Sequence, residues 1–223
     1  MGTDVQCGHC GERVTVPTSR VATGAVIGDF IILRELGRGG MGIVYLAHQI
    51  SLDRPAGLKI LAENYANNAE FVVGFIKEAR SAAKLNHPNI VQAYAVGEDE
   101  GIFYFAMEYI DGETMKNVLK REHVIPIDQA ISIIQQISEA LDYAWKEQKL
   151  IHRDIKPDNI MLASPHDLMN LVLIDFGLSR VMDEEYISSY VGTKSYMCPE
   201  ILTCHHYTEK ADIWSLGATI YAM

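Results

Sequence analysis

The amino-acid sequence predicts an α+β fold with two lobes, a small β-rich lobe followed by a helical one. Strand-like runs fill most of the chain between residues 30 and 109, and helical spacing of apolar residues dominates the part after residue 112. Only one segment with helical spacing falls among the strands. Strands and helices segregated along the chain are typical of α+β proteins, whereas regular alternation is typical of α/β proteins.

The composition predicts a globular protein with a core of its own. Of the 223 residues, 48% are hydrophobic and 22% are charged, which excludes the low-hydropathy pattern of a disordered chain. The net charge of −10 repels phosphate backbones and anionic lipids, so we expect no binding to nucleic acid. No run reaches the roughly 20 apolar residues of a membrane span, and residues 1–6 lack the pattern of a signal peptide. We therefore expect no membrane span in this chain and a cytoplasmic location.

The β-rich part is predicted to follow an N-terminal extension of residues 1–26. One helix is predicted within it, over residues 68–85, where apolar side chains recur at helical spacing before His87, Pro88 and Asn89 end the pattern. The apolar face of this helix consists of Phe71, Phe75, Ala79, Ala82 and Leu85. The predicted strands are residues 30–36, 43–48, 55–61, 90–96 and 102–109.

The helical part is predicted to centre on a core helix over residues 128–147. Its predicted buried face consists of Ile131, Ile134, Ile137, Leu141 and Trp145. Two short strands are predicted at 160–162 and 171–174, and a last apolar helix begins near Ala211. The apolar side chains of these elements would form the core of the helical lobe.

A glycine-rich segment at residues 37–42 has the pattern G-x-G-x-x-G. A dinucleotide site would need a helix to begin directly after these glycines, but residues 43–48 are β-branched and aromatic and predict a strand. We therefore interpret the segment as a flexible hairpin that covers a nucleoside triphosphate. A plain glycine-rich hairpin without a ligand remains the alternative.

Two further motifs lie in the second half of the chain. Residues 151–159 read IHRDIKPDN, and residues 175–177 read DFG. Their order and spacing resemble the catalytic loop and the metal-binding loop of protein kinases. From about residue 27 onward the chain resembles the eukaryotic-like (Hanks-type) Ser/Thr protein kinases, and residues 85–91 and 107–109 look like the bacterial branch of that family.

This resemblance implies a bilobal protein-kinase fold and a role for each catalytic residue. Asp154 would be the base that accepts and orients the substrate hydroxyl, and Lys156 would stabilise the transferring phosphoryl group. Lys59 would contact the α- and β-phosphates of ATP, and Glu78 would pair with Lys59, although a merely structural ion pair is the alternative. The oxygen ligands of Mg²⁺ would come from Asn159 and Asp175.

The resemblance also implies an ATP site. Adenine would be recognised by the extended segment from Met107 to Ile110, with Val44 and Met161 packed against the ring. Gly57 stands where the family usually has alanine, which removes one methyl contact. The residues expected to bind ATP are Gly37, Gly39, Gly42, Val44, Lys59, Met107, Glu108, Ile110 and Met161.

The resemblance favours a non-specific Ser/Thr protein kinase. Lys156 is typical of the Ser/Thr-specific catalytic loop, and Thr193 lies in a segment that serves protein substrates in the family. Arg153 would bind a phosphate on the activation segment, and we expect autophosphorylation at Ser188 or Ser189. The alternatives are a nucleotide-binding, pseudokinase-like scaffold, an inactive kinase fragment, or a small-molecule phosphotransferase.

The resemblance divides the chain into three parts. Residues 1–26 would be an extension that precedes the kinase-like part, and the spacing of Cys7 and Cys10 in it is typical of half of a zinc knuckle, or of the degenerate remnant of one. Residues 27–110 would be the N-lobe with the hinge, and residues 111–223 a C-lobe that lacks its last helices. On that expectation the last helix would leave Ile213, Leu216, Ile220 and Tyr221 uncovered.

Overall fold

A computed structural model describes residues 2–6, 13–17, 20–164, 170–176, 193–203 and 207–223. The chain divides into two compact units. The first unit comprises Met1–Val72 and Tyr94–Tyr109, and the second comprises Val73–Ala93 and Ile110–Met223.

The first unit is built on a six-stranded sheet with the order β3-β4-β5-β6-β8-β7. Its β4, β5 and β6 form an antiparallel meander, as predicted, and a tight hairpin pairs Gly39 with Gly42. At Gly42 a Cβ atom would lie 1.9 Å from the carbonyl oxygen of Ile60, so only glycine allows this approach of β5 to β6. The strands are β3 (Val26–Ile27), β4 (Phe30–Gly39), β5 (Gly42–Gln49), β6 (Arg54–Leu61), β7 (Ala93–Asp99) and β8 (Ile102–Glu108). A separate hairpin pairs β1 (Gly2–Gln6) with β2 (Arg13–Pro17).

One face of the six-stranded sheet carries the core of the first unit. Alternate residues of β6, Ala56, Leu58 and Ile60, are buried there together with Phe30 and Ile32 of β4. Because side chains alternate along a strand, Gly57 and Lys59 lie on the opposite face.

Two helices follow the meander, α1 (Glu63–Ala66) and α2 (Ala69–Ala82). The side chain of Asn68 starts α2, since its Oδ1 accepts hydrogen bonds from the backbone N–H groups of Glu70 and Phe71. The helix ends at Ala82, three residues earlier than predicted, but its predicted apolar face is buried and Leu85 remains buried beyond it.

The second unit combines helices with a small antiparallel sheet of order β11-β10-β9. Its core contains Leu85, Ile133, Ile155, Ile160 and Leu171, all of them buried. The strands are β9 (Glu113–Thr114), β10 (Ile160–Leu162) and β11 (Leu171–Leu173), and the helices are α3 (Met115–Glu122), α4 (Ile127–Gln148), α5 (Pro199–Leu202) and α6 (Lys210–Tyr221). Single 3-10 turns lie at Pro157–Asn159 and Thr193–Tyr196.

The predicted buried face of α4 is partly wrong. The residues of α4 that lie in the core are Ile133, Ile137, Ala140 and Ala144, whereas the side chain of Ile131 is 49% exposed. The buried stripe contains two alanines, whose small side chains let neighbouring elements approach closely. A prediction that followed only the large apolar residues therefore chose a rotated face.

The segment before β7 also differs from the prediction, because it is held by Asn89 rather than by a strand ladder. Asn89 Nδ2 donates to Gln136 Oε1 at 3.0 Å and to the Leu171 carbonyl at 2.7 Å. The backbone N–H groups of Leu173 and Val91 donate to Asn89 O and to Leu173 O, each at 2.9 Å. These bonds fix residues 89–91 against β11, so β7 begins only at Ala93.

The last helix, α6, is covered more completely than expected. Leu216 is buried, and Ile220 packs against the core of the second unit. Ile213 and Tyr221 are exposed, as is Trp214. Among the residues that the structure describes, no helix is both long enough and apolar enough to cross a membrane.

Candidate active site

The predicted base, Asp154, has one carboxylate oxygen held by two neighbours. Lys156 Nζ lies 2.7 Å from Asp154 Oδ2, and Asn159 Nδ2 donates to the same oxygen at 2.9 Å and to the Asp154 carbonyl at 2.8 Å. The other oxygen, Oδ1, is buried and accepts no hydrogen bond from any residue that the structure describes. The carboxylate is therefore fixed through Oδ2, and Oδ1 keeps its capacity to accept a hydrogen bond.

The loop that carries Asp154 is anchored by Asp212 of α6. The carboxylate of Asp212 accepts hydrogen bonds from the backbone N–H groups of His152 and Arg153, both at 2.7 Å. These bonds hold Arg153 in a left-handed backbone conformation with φ of 69°, which is uncommon for a non-glycine residue. Asp212 thus anchors the loop of residues 151–159 from α6.

Burial sets the protonation behaviour of this loop. It raises the pKa of Asp154, against the opposing effect of the Lys156 ammonium group. Burial likewise raises the pKa of Asp212 and lowers that of His152. A carboxylate with a raised pKa is a stronger proton acceptor, which suits a general base.

A backbone hydrogen bond links the segments that carry the two predicted metal ligands, Asn159 and Asp175. Asn159 ends the 3-10 turn after Lys156, and its carbonyl accepts a hydrogen bond at 3.0 Å from the N–H of Ile174, the residue before Asp175. Asp175 has a left-handed backbone with φ of 60°. The ring of Phe176 is buried at 4.6 Å from the ring of His152, which ties the start of the DFG segment to the catalytic loop.

Glu78 takes part in an ion pair that the sequence did not predict. Arg153 Nη1 lies 2.9 Å from Glu78 Oε1, and both side chains are buried. The Nε atom of Arg153 has no hydrogen-bond partner among the described residues, and its guanidinium lies 5.5 Å from the ring centre of Tyr207. Glu78 and Arg153 are 75 residues apart, and nothing in their local sequence indicates the contact. The pairing of Glu78 with Lys59 stays a prediction.

The strand register brings several predicted ATP-binding residues to one face of the first unit's sheet. Lys59 pairs with Val44 of β5, and Val44 in turn pairs with Gly37 of β4. Gly57 pairs with Met107 of β8. Directly paired residues of antiparallel strands share a face, so these five positions lie together, opposite the apolar core.

Met107 compensates for the missing methyl group at Gly57. A Cβ atom at position 57 would lie 3.3 Å from Met107 Cγ, so the methionine side chain already covers this part of the strand. Of the other predicted ATP-binding residues, Glu108 is exposed, Ile110 is half-buried and Met161 is half-buried in β10. Gly39 and Gly42 close the β4–β5 hairpin.

Several predicted residues lie outside the described part of the chain. They are Cys7, Cys10, Gly177, Ser188 and Ser189. The backbone of Thr193 begins a 3-10 turn, and Cys198 is buried. Within the described ranges, no group of three or more His, Cys, Asp or Glu side chains could hold a metal ion.

Known proteins resemble this chain in sequence and in structure. Serine/threonine-protein kinase PrkC of Bacillus subtilis (strain 168) is 38% identical over 201 residues, which cover 89% of this chain and 30% of PrkC. Serine/threonine-protein kinase PknJ of Mycobacterium tuberculosis is 36% identical over 91% of this chain and 35% of PknJ. The chain thus spans about a third of the length of these curated relatives.

The structural comparison agrees with the sequence comparison. The crystal structure of the Mycobacterium tuberculosis PknI kinase domain matches with a TM-score of 0.74 at 29% identity, over 90% of this chain and 74% of that one. The predicted α+β protein-kinase fold is therefore confirmed. Residues 30–223 match the protein kinase domain family, and the chain belongs to that family.

Proposed function

We propose that this chain is a serine/threonine protein kinase, which transfers the γ-phosphoryl group of ATP to Ser or Thr hydroxyl groups of proteins. The observation that supports this best is the Asp154 carboxylate, with Oδ2 bound by Lys156 and Asn159 and with Oδ1 left as an acceptor. Family membership supports the use of ATP and Mg²⁺ in general. We place the activity in the cytoplasm, where ATP is available.

In this proposal Asp154 orients the attacking hydroxyl group. The substrate hydroxyl donates its hydrogen bond to Oδ1, and Asp154 accepts the proton as the phosphoryl group is transferred. Lys156 keeps the carboxylate in place and supplies positive charge beside the transferring group. The alternative of a nucleotide-binding scaffold without catalysis would not need this arrangement.

The residues present fit Mg²⁺ and ATP. The amide nitrogen of Asn159 is committed to Asp154, which leaves the side-chain oxygen of Asn159, with the carboxylate of Asp175, as the hard oxygen ligands that Mg²⁺ prefers. Bound MgATP would supply the phosphoryl group and neutralise its oxygens. We assign Lys59 and the glycine hairpin to the phosphates, and Val44, Met107, Glu108, Ile110 and Met161 to adenine.

Replacing the two catalytic aspartates would separate the steps of the reaction. Asp154→Asn should reduce transfer to a generic protein substrate by about 10² to 10⁴ and should retain MgATP binding. Asp175→Asn should abolish transfer and weaken Mg²⁺-dependent binding of ATP. Radiolabelled phosphate transfer and calorimetry would measure both effects.

The control variant is Asp142→Asn, which removes an exposed carboxylate on α4. It should leave both transfer and nucleotide affinity at wild-type values. Unchanged Mg²⁺-dependent affinity in Asp175→Asn would contradict the metal role, and full activity in Asp154→Asn would contradict the kinase mechanism.

We further propose activation by autophosphorylation at Ser188 or Ser189. Arg153 is the candidate phosphate ligand, and its guanidinium lies against Glu78, so a phosphate group would compete with that carboxylate. The experiment is mass spectrometry of active protein together with the double alanine variant. Absence of phosphate at both serines, with full activity of the variant, would exclude this route.

We also propose a domain division at residues 26 and 110 and a zinc-binding role for the extension. Strands β1 and β2 flank Cys7 and Cys10, as expected for a zinc knuckle, and two chains would together supply four thiolates. Zinc content and oligomeric state, measured for the wild type and for the double serine variant, would test this. A metal-free wild-type protein would support a degenerate remnant.

A further inference from the structure

The strand β11 leads to Asp175 and lies at the edge of its three-stranded sheet, with β10 on one side. Its residues Leu171 and Leu173 are each 1% exposed, so their backbone polar groups are shielded from water. A buried N–H or carbonyl group without a hydrogen bond costs free energy, so each of these groups needs a partner. On the side away from β10, the partners come from α4 and from residues 89–91.

Two amide side chains take the place of a neighbouring strand at Leu171. The Leu171 N–H donates to Gln136 Oε1 at 3.2 Å, and the Leu171 carbonyl accepts from Asn89 Nδ2 at 2.7 Å. Asn89 Nδ2 also donates to Gln136 Oε1 at 3.0 Å, so the two amides bind each other as well as the strand. The amide of Gln136 is oriented by its Nε2, which lies 3.4 Å from the carbonyl and the hydroxyl oxygens of Ser132, one turn earlier in α4.

The same edge of β11 is held again at Leu173, two residues before Asp175. The Leu173 N–H donates to the Asn89 carbonyl, and the Leu173 carbonyl accepts from the Val91 N–H, each at 2.9 Å. Backbone polar groups alternate in direction along a strand, so Leu171 and Leu173 bond to this edge while the residue between them pairs with β10. Asn89 thus binds β11 at two successive positions, with its side chain and with its backbone.

The position of β11 determines where Asp175 lies relative to Asn159. After Leu173 comes Ile174, whose N–H donates to the Asn159 carbonyl at 3.0 Å and whose carbonyl lies 3.0 Å from His152 Nε2. Asp175 follows directly, in its left-handed backbone conformation. Asp175 and Asn159 are the proposed magnesium ligands, so a displacement of β11 would change the separation of the two ligands.

We propose that Asn89 and Gln136 are positioning residues for the magnesium site, which hold β11 so that Asp175 and Asn159 can bind the same ion. This inference rests on the proposed function. Removal of either amide would leave a buried polar group of Leu171 unpaired and the outer edge of β11 less firmly held. Residues that support metal ligands through hydrogen bonds affect metal affinity without touching the metal. Loss of Asn89 or Gln136 would therefore weaken the binding of ATP with Mg²⁺ more than the binding of ATP alone.

The test measures the affinity of the 223-residue chain for ATP by calorimetry, once in Mg²⁺ and once in EDTA. The ratio of the two affinities is the magnesium factor. Asn89→Asp replaces the Nδ2 donor by an acceptor, and Gln136→Leu removes the Oε1 acceptor. Each should lower the magnesium factor by about tenfold, the lower end of the effect of residues that support metal ligands. Gln136→Glu keeps an acceptor at this position and should stay close to the wild-type factor.

Matched controls lie close to both residues in the sequence. Gln135→Leu makes the same change at the preceding, exposed position of α4, and Asn86→Asp makes the same change at an exposed asparagine before Asn89. Both should keep the wild-type magnesium factor. A purely structural role of Asn89 and Gln136 would lower the melting temperature of their variants without changing this factor.

Two results would overturn the inference. One is a wild-type magnesium factor in Gln136→Leu, and the other is an equal loss of ATP affinity in Mg²⁺ and in EDTA. Gln136→Leu decides the question alone if Asn89→Asp does not fold. A wild-type chain that transfers no phosphate to a generic protein substrate, and binds ATP equally in Mg²⁺ and in EDTA, would instead overturn the proposed function.

Discussion

At the scale of single residues, the hydrogen bonds and the burial of His152 determine the protonation state of its own imidazole ring. Its Nδ1 accepts a hydrogen bond from the Asp154 backbone N–H at 3.3 Å, and its Nε2 lies 3.0 Å from the Ile174 carbonyl. A backbone N–H can only donate and a carbonyl can only accept, so the ring carries its proton on Nε2 and is neutral. Burial agrees with this assignment, since it lowers the pKa of His152 below the ordinary value of 6.5.

We therefore expect His152 to make the chain less stable at mildly acidic pH. Below pH 6.5 the unfolded chain binds a proton at this imidazole and the folded chain does not, so the free energy of unfolding falls as the pH falls, by at most about 1.4 kcal/mol per pH unit. Denaturant unfolding at pH 7.5 and pH 5.5 would measure the decrease. His152→Gln should reduce this loss of stability, because glutamine does not titrate. All other titrating groups are shared by the two proteins, so the difference between them reports on His152. Equal pH dependence in both would contradict the assignment.

At the scale of elements, α4 provides a direct test of which helix face is buried. Ile133 is 0% exposed within the second unit's core and lies outside the predicted face, whereas Ile131 of the predicted face is 49% exposed. Ile133→Ala should lower the free energy of unfolding by about 2 to 5 kcal/mol through lost burial and an unfilled cavity. Ile131→Ala should change it by less than about 0.5 kcal/mol. Chemical denaturation would measure both, and a larger loss in Ile131→Ala would favour the face predicted from the sequence.

The boundaries and contacts of the elements differ in how far the sequence could predict them. The β4–β6 meander follows from local patterns, namely strand-like runs separated by a glycine cluster, and the register then brings Val44, Lys59 and Met107 to one face. The motif around Asp154 named Lys156 and Asn159 as site residues, and the structure places both in contact with the Asp154 carboxylate. The start of β7 could not be predicted from local patterns, because Asn89 fixes the preceding segment through partners 47 and 82 residues away. The pairing of Glu78 with Arg153 depends on tertiary structure in the same way.

At the scale of the whole molecule, ligand binding and folding are coupled. A ligand that binds only the folded chain raises the free energy of unfolding, by about 2.7 kcal/mol at 100 times its dissociation constant. MgATP at that concentration should therefore raise the melting temperature, and EDTA should remove most of the increase. Asp175→Asn should reduce the MgATP effect in the same assay, with EDTA added to nucleotide-free protein as the control. An equal increase with and without Mg²⁺ would contradict a metal-dependent site.

The contact between Met107 and Gly57 has a practical consequence for chemical labelling. These residues face each other across β6 and β8, and Met107 supplies the only side chain of the pair. Met107→Gly would leave two adjoining positions without side chains and open a recess at the proposed adenine position. An ATP analogue with a bulky group on its purine would fit this variant and be excluded from the wild-type chain. Proteins that become labelled from such an analogue in a crude extract would then be direct substrates of the variant under the proposed function.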